Sequence, residues 1–186
     1  MSAPDTSNRS VLVVGTSELT DAIAERFAKV ARAELSERRG DDVDVLVIDL
    51  SDETGEDPLS RVADAAAWCQ STGSNMCERR DGAIVVVGTT DVYASQAGGA
   101  TRATLQGGAL GLVRGYGIEF APFNVRVVGV AHSRAAADGE RLPPIGRHPT
   151  PAEVANTVEF MAGPDASYVV AETIRVDGGF VAYQMF

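Results

Sequence analysis

Five short runs of nearly unbroken apolar, mostly β-branched residues constrain this chain most: SVLVVG at 10–15, VDVLVID at 43–49, GAIVVVG at 82–88, NVRVVGV at 124–130 and ETIRVDGG at 172–179. A strand with one wet face alternates apolar and polar residues. Runs that do not alternate are covered on both faces, the signature of a parallel sheet between layers of helix. The intervening segments suit that arrangement. Leu19, Ile23, Phe27, Val30 and Ala31 recur at helical spacing, which predicts a helix over 19–39 stopped by Gly40. Pro58 is placed to open a helix over 59–72, after an acidic loop at 51–58. A further helix is expected over 101–119. Thr150 is the expected cap of the last one, with Pro151 at its first helical position. The fold class is therefore α/β, a three-layer Rossmann-like domain with a mostly parallel sheet.

A chain of 186 residues holds one such domain and is too short for two. Residues 1–9 are expected to form a flexible leader and 10–186 the single domain. The formal charge of -10 and the scattered arginines argue against nucleic acid as a partner. No run of 18 apolar residues suggests a spanning helix, and the N-terminus lacks the pattern of a signal peptide. Cys69 and Cys77 have no second pair, so neither a zinc site nor a disulfide framework is indicated. Two histidines without clustered ligands make no metal site. A cytoplasmic protein is the expectation.

In the helix of 101–119, Gly107, Gly111 and Gly115 recur every four residues and so share one face. Each costs about 0.5–1 kcal/mol against alanine in a helix interior. A close helix contact, within the chain or across a subunit interface, would offset that cost.

Three segments carry a resemblance to a known family: DGAIVVVGTT at 81–90, LQGGALGLVRGYGIEFAPFNVRVVGVAHS at 105–133, and IGRHPTPAEVANTVEFMAGPDASYVVAETIRVDGG at 145–179. They resemble the short-chain dehydrogenase/reductase family, especially its β-ketoacyl reductase-like members. The resemblance implies a nicotinamide dinucleotide cofactor and carbonyl or alcohol chemistry by a Ser, Tyr and Lys set, with a supporting Asn. Residue by residue, most of that set is missing. The family's Tyr-x-x-x-Lys falls on Arg102 and Gln106, and no shift of register restores it, because Lys29 is the only lysine in the chain. An arginine stays protonated and is a poor general acid at neutral pH. Thr89 or Thr90 stands at the Ser position, Tyr93 is a displaced candidate acid, and His132 follows a strand toward the same region. His148 reads as structural. The supporting Asn has no counterpart.

The glycine loop has changed as well. Gly15 remains, but Leu19 and Asp21, or Glu18 and Thr20, stand where the family has glycines that admit the pyrophosphate. Their side chains are expected to obstruct it. Asp49, at the end of the second apolar run, occupies the position expected of a ribose-binding acid. The interval from Asp49 to Asp81 is short and lacks the family's Asn-Asn-Ala-Gly motif. The sheet is thus expected to be shortened by about two strands, with the first strand beside AIVVV. The resulting expectation is a non-catalytic subunit that takes no cofactor, in a homo-oligomer or a hetero-oligomer with a full-length family member. The alternatives are an NAD-dependent oxidoreductase, a cofactor-free isomerase or cyclase using Thr90, Tyr93, Arg102 and His132, and a small-molecule binding domain.

Overall fold

The sheet carries six parallel strands in the order β2-β1-β3-β4-β5-β6, seen in a computed structural model that describes residues 9–37, 42–52, 57–95, 97–134 and 142–184. The strands are β1 (Ser10–Val14), β2 (Lys29–Ala33), β3 (Val45–Asp49), β4 (Gly82–Thr89), β5 (Val125–His132) and β6 (Thr173–Val176). The helices are α1 (Glu18–Ala24), α2 (Pro58–Arg79), α3 (Ala100–Phe120), α4 (Pro151–Ala162) and α5 (Phe180–Gln184). Successive side chains of a strand point to opposite faces, and the cores divide accordingly. Leu12, Leu46, Ile48, Ile84, Val86 and Val127 pack with α2 and α3. Val11, Val47, Val85, Val87, Val128 and Val130 pack with α1 and α4.

Helix starts follow local chemistry. Asp57 caps α2 by accepting from the Ser60 amide, with Pro58 behind it in the first turn. Thr150 and Glu153 close a reciprocal capping box at α4, with Pro151 in the first turn as expected. Left-handed Arg80 and Asn124 end α2 and the turn after α3, where a polar side chain tolerates positive φ better than a β-branched one.

Two expectations fail here. The helical spacing of 19–39 is not one helix: α1 stops at Ala24, and Lys29–Ala33 crosses to become an edge strand paired only with β1. Lys29, Ala31 and Arg32 are exposed on that edge, so the segment never forms the covered apolar run that marks the other strands. The first strand does not lie beside AIVVV either. β3 separates β1 from β4, with Val13 beside Val47 and Val47 in turn beside Val85. Both errors share one cause. Without β2, the VDVLVID run counts as the second strand of a half-sheet, whereas its fully buried side chains suit a central position.

Candidate active site

The C-terminal strand ends form a rim, where open α/β sheets receive ligands. Gly15 follows β1, Asp49 ends β3, Thr89 ends β4 and His132 ends β5, with Thr89 and His132 side by side in register. Two chemically different ends result.

At the β1–β2 end, Gly15 holds φ +135°, and a Cβ there would lie 2.9 Å from Thr20 Cγ2 and 3.2 Å from Asp49 Cβ. Only glycine fits that approach. Ser17 caps α1, accepting from the Thr20 amide at 3.1 Å, while its hydroxyl donates to Asp49 Oδ2 at 2.7 Å. Asp49 Oδ1 accepts from the Ser51 amide at 2.9 Å. The Asp49 carboxylate, 2% exposed, therefore ties α1 to β3 from the centre of the sheet. The acid that follows β2 is Glu34, exposed on the rim of a cavity of about 160 Å³ shared with Gly15, Thr16, Leu35, Asp49, Asp52 and Arg61. Arg61 is buried and donates to the Asp52 carbonyl at 2.7 Å and to the Asp52 carboxylate. Burial pushes the Asp52 carboxyl above its ordinary value; Arg61 pulls it down and Asp49 pushes it up again.

Leu19 does not obstruct this cavity. It is buried in the core with Val11 and Val47, on the α1 and α4 side of the sheet. Glu18 is exposed, and exposed Asp21 pairs with Arg32 of β2. Leu19 thus turns into the core and Glu18 and Asp21 toward solvent, whereas buried Thr20 sets its Cγ2 against Gly15.

At the β4–β5 end, Gln106 lies where the resemblance puts a lysine. It is 4% exposed; its Oε1 accepts from the Thr89 amide at 2.8 Å and its Nε2 donates to the Leu50 carbonyl at 3.0 Å. Gly88 makes room, since a Cβ there would lie 2.2 Å from Gln106 Oε1. The Thr89 hydroxyl donates to Asp91. Arg102 Nε and Arg134 Nε approach the same carboxylate at 3.9 and 3.7 Å. Thr90 is buried, and its carbonyl accepts from the Tyr93 amide at 2.9 Å. The Tyr93 ring lies under the Arg175 guanidinium, 5.3 Å from centroid to carbon. His132 Nδ1 faces the Ser133 carbonyl at 3.1 Å, so that nitrogen carries the proton. Its Nε2 is buried without a partner, as is Ser133 Oγ.

Thr89, Arg102 and His132 are thus gathered at one strand end, with Tyr93 on the adjoining turn. Sequence reasoning missed Glu34, Asp91, Arg134 and Arg175. Glu34 had a legible signal, an acid about 20 residues beyond Gly15, hidden by reading a helix through it. The other three carry no motif. The glycine stripe also changes meaning. Nothing lies within 4 Å of a Cβ built on Gly111 or Gly115, and only Val92 reaches Gly107, at 4.0 Å. The close contacts inside the chain fall on other glycines: Gly108 meets Val62 of α2, Gly73 meets Phe120, and Gly117 meets the Ala171 backbone.

A parallel sheet with a glycine cradle after β1, an acid after β2 and polar groups at the ends of β4 and β5 defines a dinucleotide-binding type of α/β protein. Residues 47–181 match the family model described as enoyl-(acyl carrier protein) reductase. The chain belongs to the short-chain dehydrogenase/reductase family. It is 33% identical over 116 residues to 3-oxoacyl-[acyl-carrier-protein] reductase FabG of Vibrio cholerae, covering 56% of this chain and 48% of that one. It is 30% identical over 166 residues to cis-4-hydroxycyclohexanecarboxylate dehydrogenase of Sinomonas cyclohexanicum, covering 75% and 66%. The chain spans about half the length of the curated reductases it matches. Among solved structures, that of gox2181 superposes with a TM-score of 0.80 at 22% identity, over 94% of this chain and 96% of that one.

These findings overturn the expectation of no cofactor. A family of dinucleotide-dependent reductases points to a nucleotide cofactor, and the residues at the β1–β2 end fit one. Gly15, Thr16 and Glu34 line one cavity that Leu19 does not enter, and Glu34 stands where a ribose diol is held, with Thr20 and Asp49 packed against Gly15.

Proposed function

We propose that this chain is a nucleotide-binding member of the family without its reductase chemistry, acting as a subunit in an oligomer. The observation that carries the reading is Gln106. Its amide is buried and fully engaged between the Thr89 amide and the Leu50 carbonyl, so it neither carries charge nor reaches outward. With arginine at position 102, the pair that would polarise a carbonyl and deliver a proton is replaced by a permanent cation and a structural bridge.

Gly15 and the exposed Glu34 would hold the adenosine half of the nucleotide, Glu34 accepting from the ribose hydroxyls. The nicotinamide ring, when bound, supplies hydride transfer. Glu34, with Asp52 and Asp49 nearby, disfavours a 2′-phosphate by like-charge repulsion. NAD and NADH are therefore the expected ligands over their phosphorylated forms. The outer face of α3, with open positions at Gly111 and Gly115 and with Ile118 73% exposed, is the expected subunit contact.

Calorimetric titration with the oxidised and reduced forms of both dinucleotides, paired with a turnover assay on a 3-oxoacyl thioester, tests the reading. The expected result is NAD or NADH binding at least about tenfold tighter than the phosphorylated forms, lost in Glu34→Arg, with no turnover. Turnover above the blank would sink the non-catalytic part; silence from all four would sink the nucleotide part. One observation favours a second reading, an oxidoreductase of altered chemistry. The buried, unpartnered Nε2 of His132 beside Thr89 is a proton-accepting group at the strand ends.

A further inference from the structure

The β1–α1–β2 unit has a cavity at each end. At the C-terminal strand ends it supplies Gly15, Thr16 and Glu34 to the nucleotide cavity. At the opposite end a cavity of about 200 Å³ lies between Arg9, just before β1, and Arg26, Phe27 and Ala28, in the connection from α1 to β2. β3 spans both places, with Val45 at its start in this cavity and Asp49 at its end in the other. Five residues of strand at about 3.3 Å each set the two roughly 15 Å apart. The C-terminal end of α4 closes the third side, through Glu159, Ala162 and Gly163.

The interior is apolar. Phe27 is half-buried, and Val45 and Ala162 are buried. An apolar cavity of about 150 Å³ is large enough for a benzene ring, so this one has room for a ring with a small substituent. Charge selects the substituent. Arg26 donates to Glu159 through Nε at 2.8 Å, and Arg9 donates to the Ala162 carbonyl at 3.2 Å and to Asp81 at 3.1 Å. Behind the Ala162–Gly163 wall lies Arg126, whose guanidinium donates to four main-chain carbonyls, those two residues' among them. Burial pulls Arg126 below its ordinary value, Arg9 pulls it further and Asp81 pushes it back, as befits two neighbouring cations beside one acid. Three guanidiniums thus stand against two carboxylates, and the Asp81 side chain, 58% exposed, is screened by water. The balance around the cavity is positive in a chain of net charge -10.

We propose that this cavity binds a small aromatic carboxylate, its ring against Phe27 and Val45 and its carboxylate toward Arg9. Burial of the ring supplies affinity, and the field of the guanidiniums selects an anion over a cation. The site shares no residue with the nucleotide cavity, so it stands apart from the nucleotide reading.

The test is nuclear magnetic resonance of the full chain without nucleotide, titrated separately with benzoate, benzylamine and acetate. Benzoate is expected to move the Ala28, Val45 and Gly163 amide signals saturably while those of Gly15 and Glu34 stay in place. Benzylamine has a similar size and the opposite charge, and acetate lacks the ring; each is expected to bind at least about tenfold more weakly. Two charge changes act in opposite directions: Arg9→Gln is expected to weaken benzoate by about threefold or more, and Glu159→Gln to tighten it by about twofold or more. Ala28→Trp, at an exposed position lining the cavity, fills it and is expected to abolish binding, with the amide spectrum reporting that the fold persists. No saturable shift, shifts centred on Gly15 and Glu34, or unchanged affinity in folded Arg9→Gln and Ala28→Trp would overturn the site. Benzylamine or acetate binding as tightly as benzoate, or weaker benzoate binding in Glu159→Gln, would overturn the ligand assignment. Failure of these titrations leaves dinucleotide calorimetry unaffected, and the reverse holds equally.

Discussion

Single residues decide what the rim can do, and Gln106 decides most. It bridges β4 to the segment after β3 by completing a buried N–H and a buried C=O. Gln106→Ala leaves both unsatisfied and is expected to cost about 2–6 kcal/mol in chemical denaturation, since each orphaned group costs roughly 1–3 kcal/mol. A loss below about 0.5 kcal/mol would mean the bridge is not structural. Cysteine reactivity offers an independent check on packing. Burial pushes the Cys69 thiol up to about 12, whereas Cys77 is only half-buried and raised less. Iodoacetamide is expected to label Cys77 in the native protein and Cys69 only after unfolding, with mass spectrometry reporting the order. The Arg102 and Gln106 substitutions were legible from the linear pattern. That Gln106 would be engaged at both ends of its amide was not, because its partners, Thr89 and Leu50, are brought to it only by the fold.

Elements show where periodicity suffices and where it misleads. The α3 glycines look alike in sequence but divide in space. Gly117→Ala would press a Cβ to 2.8 Å from the Ala171 Cα and is expected to destabilise by about 1–3 kcal/mol. Gly111→Ala meets nothing within 4 Å, and is expected to stabilise the isolated chain by about 0.5–1 kcal/mol through helix propensity. Thermal melts of the two variants check the pair of signs. The start of α4 carries a pH dependence. The Arg147 guanidinium and the Thr150 amide and hydroxyl hold the Glu153 carboxyl down at about 2. A folded-state value below the unfolded one contributes stability that is complete above the unfolded value and lost as pH falls through the folded one. The α4 contribution should therefore decline from about pH 4.5 towards pH 2, a slope that Glu153→Gln removes in melts across that range. The missed β2 belongs at this scale too. A seven-residue helix followed by an edge strand can mimic one long helical period when the strand, like β2, leaves most of its positions exposed.

At the scale of the whole molecule, the proposed assembly has its own test. Ile118 is 73% exposed beside the open Gly111 and Gly115 of α3, so if that face is the subunit contact Ile118→Glu is expected to lower the mass in light scattering, without lowering the stability of the monomer. An unchanged mass would exclude that face as the contact. The sequence by itself determined the architecture class, the caps at Thr150 and near Pro58, four strands at or near their observed limits and the family, because covered apolar runs and helix-start chemistry are local properties. It also determined that the tyrosine–lysine pair is absent, since a single lysine at position 29 cannot serve it. Tertiary structure alone decided the order β2-β1-β3-β4, and with it that Glu34 joins Asp49 at the cavity, exposed where Asp49 is buried. It alone turned Leu19 into the core and Gly111 and Gly115 to solvent, and it alone brought Arg102 and Arg134 to one carboxylate. The physical reason is common to all of these. Which way a side chain points, and what it meets there, depends on the neighbours that pairing and packing supply, and residues far apart along the chain become neighbours only when the sheet closes.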